Sequence, residues 1–165
     1  MSYEEALEKT DPTRIGTLVR GSAEEQEALA RFADFVGEMT AASMRQKVGQ
    51  VYAEDAYFND TLKELVGVAA IEEYMAHSME ATQSVRARVD DVAVSDGNYY
   101  VRWTMEIHFK ELNKGQVARS VGISHLRFDR SGKIVLHKDY WDAADGLFQY
   151  LPVLGRAVRW VKGRL

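Results

Sequence analysis

The sequence predicts an α+β domain: a cone-shaped roll in which three N-terminal helices pack on a curved antiparallel sheet, with an extra C-terminal helix. Three observations carry this. Apolar residues recur at helical spacing through the first half of the chain, the period switches to strand alternation from Val85, and helical spacing returns after Asp142. Runs of helices followed by runs of strands indicate α+β architecture. A curved sheet with helices across one face encloses a cup.

Taken in order, residues 1–21 form a lead-in. A short helix from Tyr3 to Glu8 is broken at Asp11-Pro12, because a residue before proline avoids helical geometry. Ser22 with Glu25 reads as a capping box. It opens a helix carrying Leu29, Phe32, Val36 and Met39 on one side. A second helix runs from about Ser43 to Tyr52, with Met44, Val48 and Val51 inward. Tyr57-Phe58-Asn59-Asp60 reads as a short strand or turn. Gly67 precedes a third helix with Val68, Ile71, Met75 and Met79 as its stripe.

Val85, Ala87 and Val89 then alternate, and Asp90-Asp91 reads as a bulge where the phase slips. Asp96-Gly97 is a hairpin signal. From Tyr99 to Phe109 every second residue is apolar, which predicts a long strand with one buried face. Asn113-Lys114-Gly115 turns the chain into a strand whose Val117, Arg119, Val121, Ile123 and His125 share one phase. Leu126 and Phe128 fall in the other phase, so a bulge is expected near Ser124. The last strand runs from Gly132 to Asp142. The tail, residues 146–165, carries Leu147, Leu151, Leu154, Val158, Val161 and Leu165 at helical spacing, and Pro152 is expected to restart its helix. The basic residues Arg156, Arg159, Lys162 and Arg164 would suit an anionic membrane surface, but the preferred reading is a lid that packs the Leu and Val stripe over the cup or over a partner subunit. The division is thus lead-in 1–21, domain 22–145 and amphipathic helix 146–165.

The chain has 165 residues, 46% of them hydrophobic and 28% charged, as in an ordinary soluble domain with a sizeable core. A net charge of −4 lacks the basic face that a nucleic-acid partner requires. Without cysteine there is no disulfide framework and no thiolate chemistry. No apolar run reaches the roughly 20 residues of a membrane span, and the acidic Met1-Ser2-Tyr3-Glu4-Glu5 start has no apolar signal core. A cytoplasmic location and no membrane partner are expected. The scattered histidines and the absence of a glycine-rich phosphate loop predict neither metal nor other cofactor.

The last strand is where chemistry concentrates. Alternation puts Val135, His137, Asp139 and Trp141 on one face. A carboxylate and an imidazole in a row between apolar residues suit proton transfer if the face is buried, since burial disfavours the charged acid. The plainer alternative is that Asp139 ends an ion pair and His137 is a satisfied core histidine.

The order of elements, Tyr52-Ala53-Glu54-Asp55-Ala56 after two helices, Gly67 before the third, and Gly132-Lys133-Ile134 leading to Asp139-Tyr140-Trp141-Asp142 together resemble the nuclear-transport-factor-two-like superfamily. That group includes ketosteroid isomerases, limonene epoxide hydrolases, scytalone dehydratases and SnoaL-like polyketide cyclases. The resemblance covers roughly residues 22–145 and implies a fold that hosts enzymes and non-enzymes alike. It places Asp60 where ketosteroid isomerases keep their base, but their two oxyanion donors would fall near Phe35 or Val36 and at Ser124. It places Asp139 at one aspartate of the epoxide hydrolase set, whose other members would fall at Trp103 and Met105. Neither route is therefore expected. His125 and Asp139 resemble the histidine–aspartate pair of the SnoaL-like cyclases.

The expected function is cofactor-free acid–base chemistry, as a cyclase or isomerase, on an apolar carbonyl compound. Asp139 moves the proton, His125 hydrogen-bonds the oxygen, and Asp60 serves as a second acid or base. Trp103, Met105, Val121, Ile123, His137, Trp141, Phe58 and Met75 are expected to line the pocket. The mechanism requires Asp139 and His125 to share one cavity. Otherwise the reading falls back to the alternative, a non-catalytic module of the same fold that holds an apolar ligand or a protein. A homodimer through the outer sheet face, around Tyr100, Arg102, Thr104 and Glu106, is also expected.

Overall fold

Side-chain caps set the helix starts. The computed structural model describes residues 1–112, 117–151 and 153–164. Ser2 and Glu5 close a reciprocal capping box on α1 (Tyr3–Lys9), and Asp11 caps α2 (Pro12–Ile15), which begins on its proline. Ser22 Oγ accepts the Glu25 amide at the start of α3 (Ala23–Gly37). Only half of the expected box forms there. The Glu25 carboxylate instead accepts the Gly21 amide at 2.6 Å and the Tyr99 hydroxyl at 2.7 Å, tying the helix start to the sheet. Thr40 and Ser43 cap α4 (Ala41–Val51) reciprocally. Gly67, at φ 95°, opens α5 (Val68–Glu80) in a conformation that side-chain-bearing residues avoid.

Six strands form one sheet: β1 (Tyr52–Asn59), β2 (Glu64–Val66), β3 (Thr82–Ser95), β4 (Asn98–Phe109), β5 (Val117–Phe128) and β6 (Ile134–Trp141), in the order β2-β1-β6-β5-β4-β3. The four long strands are antiparallel throughout. β1 runs parallel to β6, which no local pattern announced. The register slips between Val89 and Asp91, as the adjacent aspartates predicted. Asp96 at φ 49° and Gly97 at φ 77° make the hairpin. The turn read at Asn113-Lys114-Gly115, the helix restart at Pro152 and the terminal Leu165 lie outside the described residues.

Helices α3, α4 and α5 cover the concave face. Phe32 and Phe35, Met44 and Val48, and Ile71 meet Tyr99, Val101, Leu126 and Phe128 in one core. Burying such a row of large apolar side chains, at roughly 1.5–3 kcal/mol each, is what holds helices to sheet.

β5 departs from expectation. Its pairing with β4 is continuous from Tyr99↔Leu126 to His108↔Val117, with no bulge at Ser124. The even residues therefore all face inward: Ala118, Ser120, Gly122 and Ser124 as well as Leu126 and Phe128. The inward residues are small because large partners overlie them. A Cβ on Gly122 would press into the Trp103 ring and lie 2.9 Å from Trp141 Cβ. Val121 and Ile123 consequently sit on the outer face, 55% and 41% exposed.

His125 also points outward, but is buried beneath α1. Tyr3 Oη lies 2.8 Å from its Nδ1, and Asn98 Oδ1 lies 2.8 Å from its Nε2. Because Asn98 Oδ1 accepts, Nε2 carries the proton and Nδ1 accepts from Tyr3. Burial, followed by the charge of Arg127 and the proximity of His137, lowers the His125 pKa from 6.5 to about 4. A folded-state pKa below the unfolded one means that the unfolded chain takes up the proton first. The stability contribution is present above the unfolded value and is lost as pH falls through the folded one. Melting temperature should therefore fall between about pH 6.5 and about pH 4, and fall less steeply in His125→Gln. Equal slopes would show that His125 is not the titrating group.

After β6, Asp142 caps α6 (Ala143–Gly146), a 3₁₀ turn spans Phe148–Tyr150, and α7 spans Leu154–Lys162. Lys162 Nζ pairs with the Asp145 carboxylate. Leu147 reaches the concave side and Tyr150 packs near Phe109, whereas Leu154 and Val161 of α7 stay exposed. The cover on the cup thus comes from the segment before α7. Among the described residues no helix is long and apolar enough to cross a membrane.

Candidate functional site

The cup encloses a cavity of about 410 Å³ between helices α3 and α5 and the sheet. That is within the range of small-molecule sites, roughly 300–1,000 Å³. The wall is overwhelmingly apolar: Phe32 and Phe35 from α3, Met75 and Met79 from α5, and Trp103, Met105 and Ile107 from β4. Alternation along β4 brings its three to one side, and helical spacing does the same for the methionines.

Besides the Ser78 and Thr82 hydroxyls, which donate to backbone carbonyls, two carboxylate-centred groups interrupt this wall. The first is built on neighbouring strands, because Ser124 of β5 pairs with Asp139 of β6. Trp103 Nε1 donates to Ser124 Oγ at 2.9 Å, and Ser124 Oγ donates to Asp139 Oδ1 at 2.5 Å. His137 Nε2 lies 2.8 Å from the same Oδ1, and Tyr52 Oη lies 2.6 Å from His137 Nδ1. Burial, followed by the charges of Asp139 and Asp60, raises the Tyr52 pKa well above its ordinary value, so its hydroxyl keeps its proton. Tyr52 then donates to Nδ1, and Nε2 carries the proton given to Asp139. The chain Trp103–Ser124–Asp139–His137–Tyr52 is satisfied at every link. His137 is 5% and Asp139 16% exposed at the side chain. Both hydrogen bonds to Asp139 fall on Oδ1. Phe32 and Phe58 present T-shaped contacts to the imidazole at 5.8 and 5.1 Å, and Tyr52 stacks on it.

The second polar group is Asp60. Its Oδ1 accepts the amides of Leu62 and Lys63, and its Oδ2 accepts Tyr74 Oη at 2.5 Å. Burial, and then this bond to Asp60, raises the Tyr74 pKa. Trp141 Nε1 donates to the Asp60 carbonyl at 2.7 Å, linking the end of β6 to this turn. Asp60 is therefore a turn residue that also lines the cavity.

Of the residues expected at the site, Asp139, Asp60, His137, Trp103, Met105, Trp141, Phe58 and Met75 line the cavity. His125, Val121 and Ile123 do not, and their assignment is corrected. With no bulge in β5, their odd phase carries all three to the convex face. The His125–Asp139 pair does not form. Ser124, Tyr52 and Tyr74 were not anticipated as site residues. Signals for two of them were present: stepping back by twos from Leu126 reaches Ser124, and Tyr74 lies three residues from Ile71 on the α5 stripe. Tyr52 was masked by its place at a helix end. His77 faces water beside Glu80. Among the described residues no three His, Asp or Glu side chains gather into a metal-binding group.

Residues 29–137 match the family model of the SnoaL-like domain. No curated protein matches the chain significantly. Solved structures are similar in fold. An NTF2-like protein of unknown function from Exiguobacterium sp. 255-15 aligns with TM-score 0.59 and 18% identity over 70% of this chain and 98% of its own. A protein with ketosteroid isomerase-like fold from Catenulispora acidiphila, in complex with trimethylamine, aligns with TM-score 0.63 and 16% identity over 75% and 92%. An epoxide hydrolase of the LEH-like type from M. tuberculosis aligns with TM-score 0.62 and 13% identity over 88% and 96%.

Proposed function

The chain belongs to the SnoaL-like domain family, and from that premise we propose that it is a small-molecule enzyme performing cofactor-free proton transfer on an apolar compound, with Asp139 as the acid–base group. The carrying observation is the geometry of that carboxylate. Oδ1 is fixed by Ser124 and His137, Oδ2 takes no hydrogen bond from the described residues, and the group lines an apolar cavity. A base must be held in place yet keep an oxygen available for the substrate proton. With His125 on the convex face, the Asp139–His125 mechanism fails, and that failure counts toward the non-catalytic module; the enzyme reading now rests on Asp139 alone. His137 stands beside Asp139 instead, as a positioning residue whose tautomer Tyr52 sets.

A further observation favours the second reading, binding without chemistry. Among the described lining residues the hydroxyl and indole donors are already engaged with protein acceptors, so none of them is free for a carbonyl oxygen. The two readings separate in D₂O. The protein is incubated with apolar cyclic ketones, and deuterium uptake beside the carbonyl is followed by NMR. Exchange faster than in buffer is expected. Binding of the same ketones with exchange at the buffer rate would leave the binding module.

We further propose a homodimer through the convex face. Tyr100, Val121, Ile123 and Tyr140 are exposed there, and Arg119 pairs with Glu106 beside them. Such a mixed face suits an isologous two-fold contact. Sedimentation velocity at micromolar concentration should give a dimer, and Val121→Glu a monomer. A wild-type monomer would remove the proposal.

A further inference from the structure

The polar inventory of the cavity is lopsided. Asp60 and Asp139 both line it, and among the described lining residues there is no lysine or arginine. Among the described lining residues His137 is the only group that can become cationic, and its two ring nitrogens face Tyr52 and Asp139. Even with that imidazole charged, two carboxylates outweigh it. Hydrogen-bonding capacity is lopsided in the same sense. Trp103, Ser124, Tyr74 and Trp141 donate within the network already described, while Ser78 Oγ donates to the Tyr74 carbonyl and Thr82 Oγ1 to the Met79 carbonyl. Acceptor capacity remains at Asp139 Oδ2 and in the second lone pair of Asp60 Oδ2. The rest of the wall includes the aromatic side chains of Phe58, Tyr74, Trp103 and Trp141, a residue class whose rings attract cations.

From this we infer that the cavity takes an apolar molecule carrying a cationic nitrogen, an ammonium or quaternary amine, and rejects carboxylic acids of the same hydrocarbon body. The carboxylates, with the aromatic rings beside them, replace the water that the cation loses, which an aliphatic wall cannot do. A carboxylate ligand would meet like charges in a cavity with no donor free to hold it. The inference rests on the cavity being the ligand site proposed above, and it names the substrate class. A positive charge on the substrate would also supply what the wall lacks, a counter-charge for negative charge developing as Asp139 removes a proton.

The test uses a matched set: naphthylmethylamine, naphthylmethanol and naphthoate, titrated into the full chain by calorimetry. The amine should bind at least about tenfold tighter than the alcohol, with naphthoate weakest. Asp139→Asn and Asp60→Asn, each checked for retained fold by circular dichroism, should each shrink the amine-to-alcohol ratio, the charged amine losing more affinity than the neutral alcohol. Having two variants covers the case in which one does not fold. Equal affinities for amine and alcohol, or tightest binding by naphthoate, would overturn the inference while leaving an apolar site. Binding by none of the three would overturn it together with the location of the ligand site. These titrations read affinity alone, so their failure is distinguishable from failure of deuterium exchange, which reads proton transfer.

Discussion

Asp139→Asn is expected to slow proton exchange on a bound apolar carbon acid by about 10²–10⁴-fold, the usual contribution of a positioned general base. The substitution is nearly isosteric. An asparagine Oδ1 can still accept from Ser124 Oγ and His137 Nε2, as the carboxylate oxygen does at 2.5 and 2.8 Å. What changes is the other end of the group, where an oxygen able to take a proton becomes an NH₂. Affinity for a neutral apolar ligand should therefore persist, because the wall of Phe, Met and Trp side chains is untouched. That split, turnover lost and binding kept, marks an interaction made in the transition state and not in the ground state. The measurement is the deuterium-exchange rate of variant against wild type at saturating ketone, with affinity from calorimetry. Exchange equally fast in both proteins would remove Asp139 from the mechanism. A parallel loss of neutral-ligand affinity would instead mean that the carboxylate organises the cavity.

Much of this site could be read from the chain because strand alternation is a local property. His137, Asp139 and Trp141 fall on one face by counting alone, and the unbroken alternation from Tyr99 to Phe109 places Trp103 and Met105 opposite the helices. The same counting misplaced His125, Val121 and Ile123, for a physical reason. On β5 the apolar odd residues look like the buried set, while the inward positions are Ser120, Gly122 and Ser124. Two tryptophans from other strands fill the space above them, and a strand's own sequence does not reveal that large neighbours demand small residues. The outward burial of His125 depends on α1, whose Tyr3 and Leu7 dock more than a hundred residues away in sequence. The parallel pairing of β1 with β6 is likewise a property of the assembled sheet. Tyr52 shows the limit most plainly. At the junction of α4 and β1 it reads as helix-end filler, and only the assembled sheet brings its hydroxyl to His137.

Phe32→Ala is expected to destabilise the fold by about 3–5 kcal/mol, the usual cost of truncating a buried phenylalanine. Against a total of roughly 5–15 kcal/mol for a domain of this kind, that is a large share. Phe32 is 1% exposed and belongs to the core formed by α3, α4, α5 and the sheet. Its ring also borders the cavity and meets the His137 imidazole edge-on at 74°. Removing it loses the transferred apolar area and merges a new void with the existing cavity, which the rigid sheet below cannot close. The His137 ring would lose one of its two T-shaped neighbours but keep Phe58 and both of its hydrogen bonds. Phe32→Leu keeps most of the volume and should cost less than about 1.5 kcal/mol. Urea unfolding of the three proteins gives the comparison, through a midpoint shift at constant slope. An alanine variant within about 1 kcal/mol of wild type would mean that α3 repacks over the gap, and that the cavity wall yields where the packing of Phe32 on His137 says it should hold.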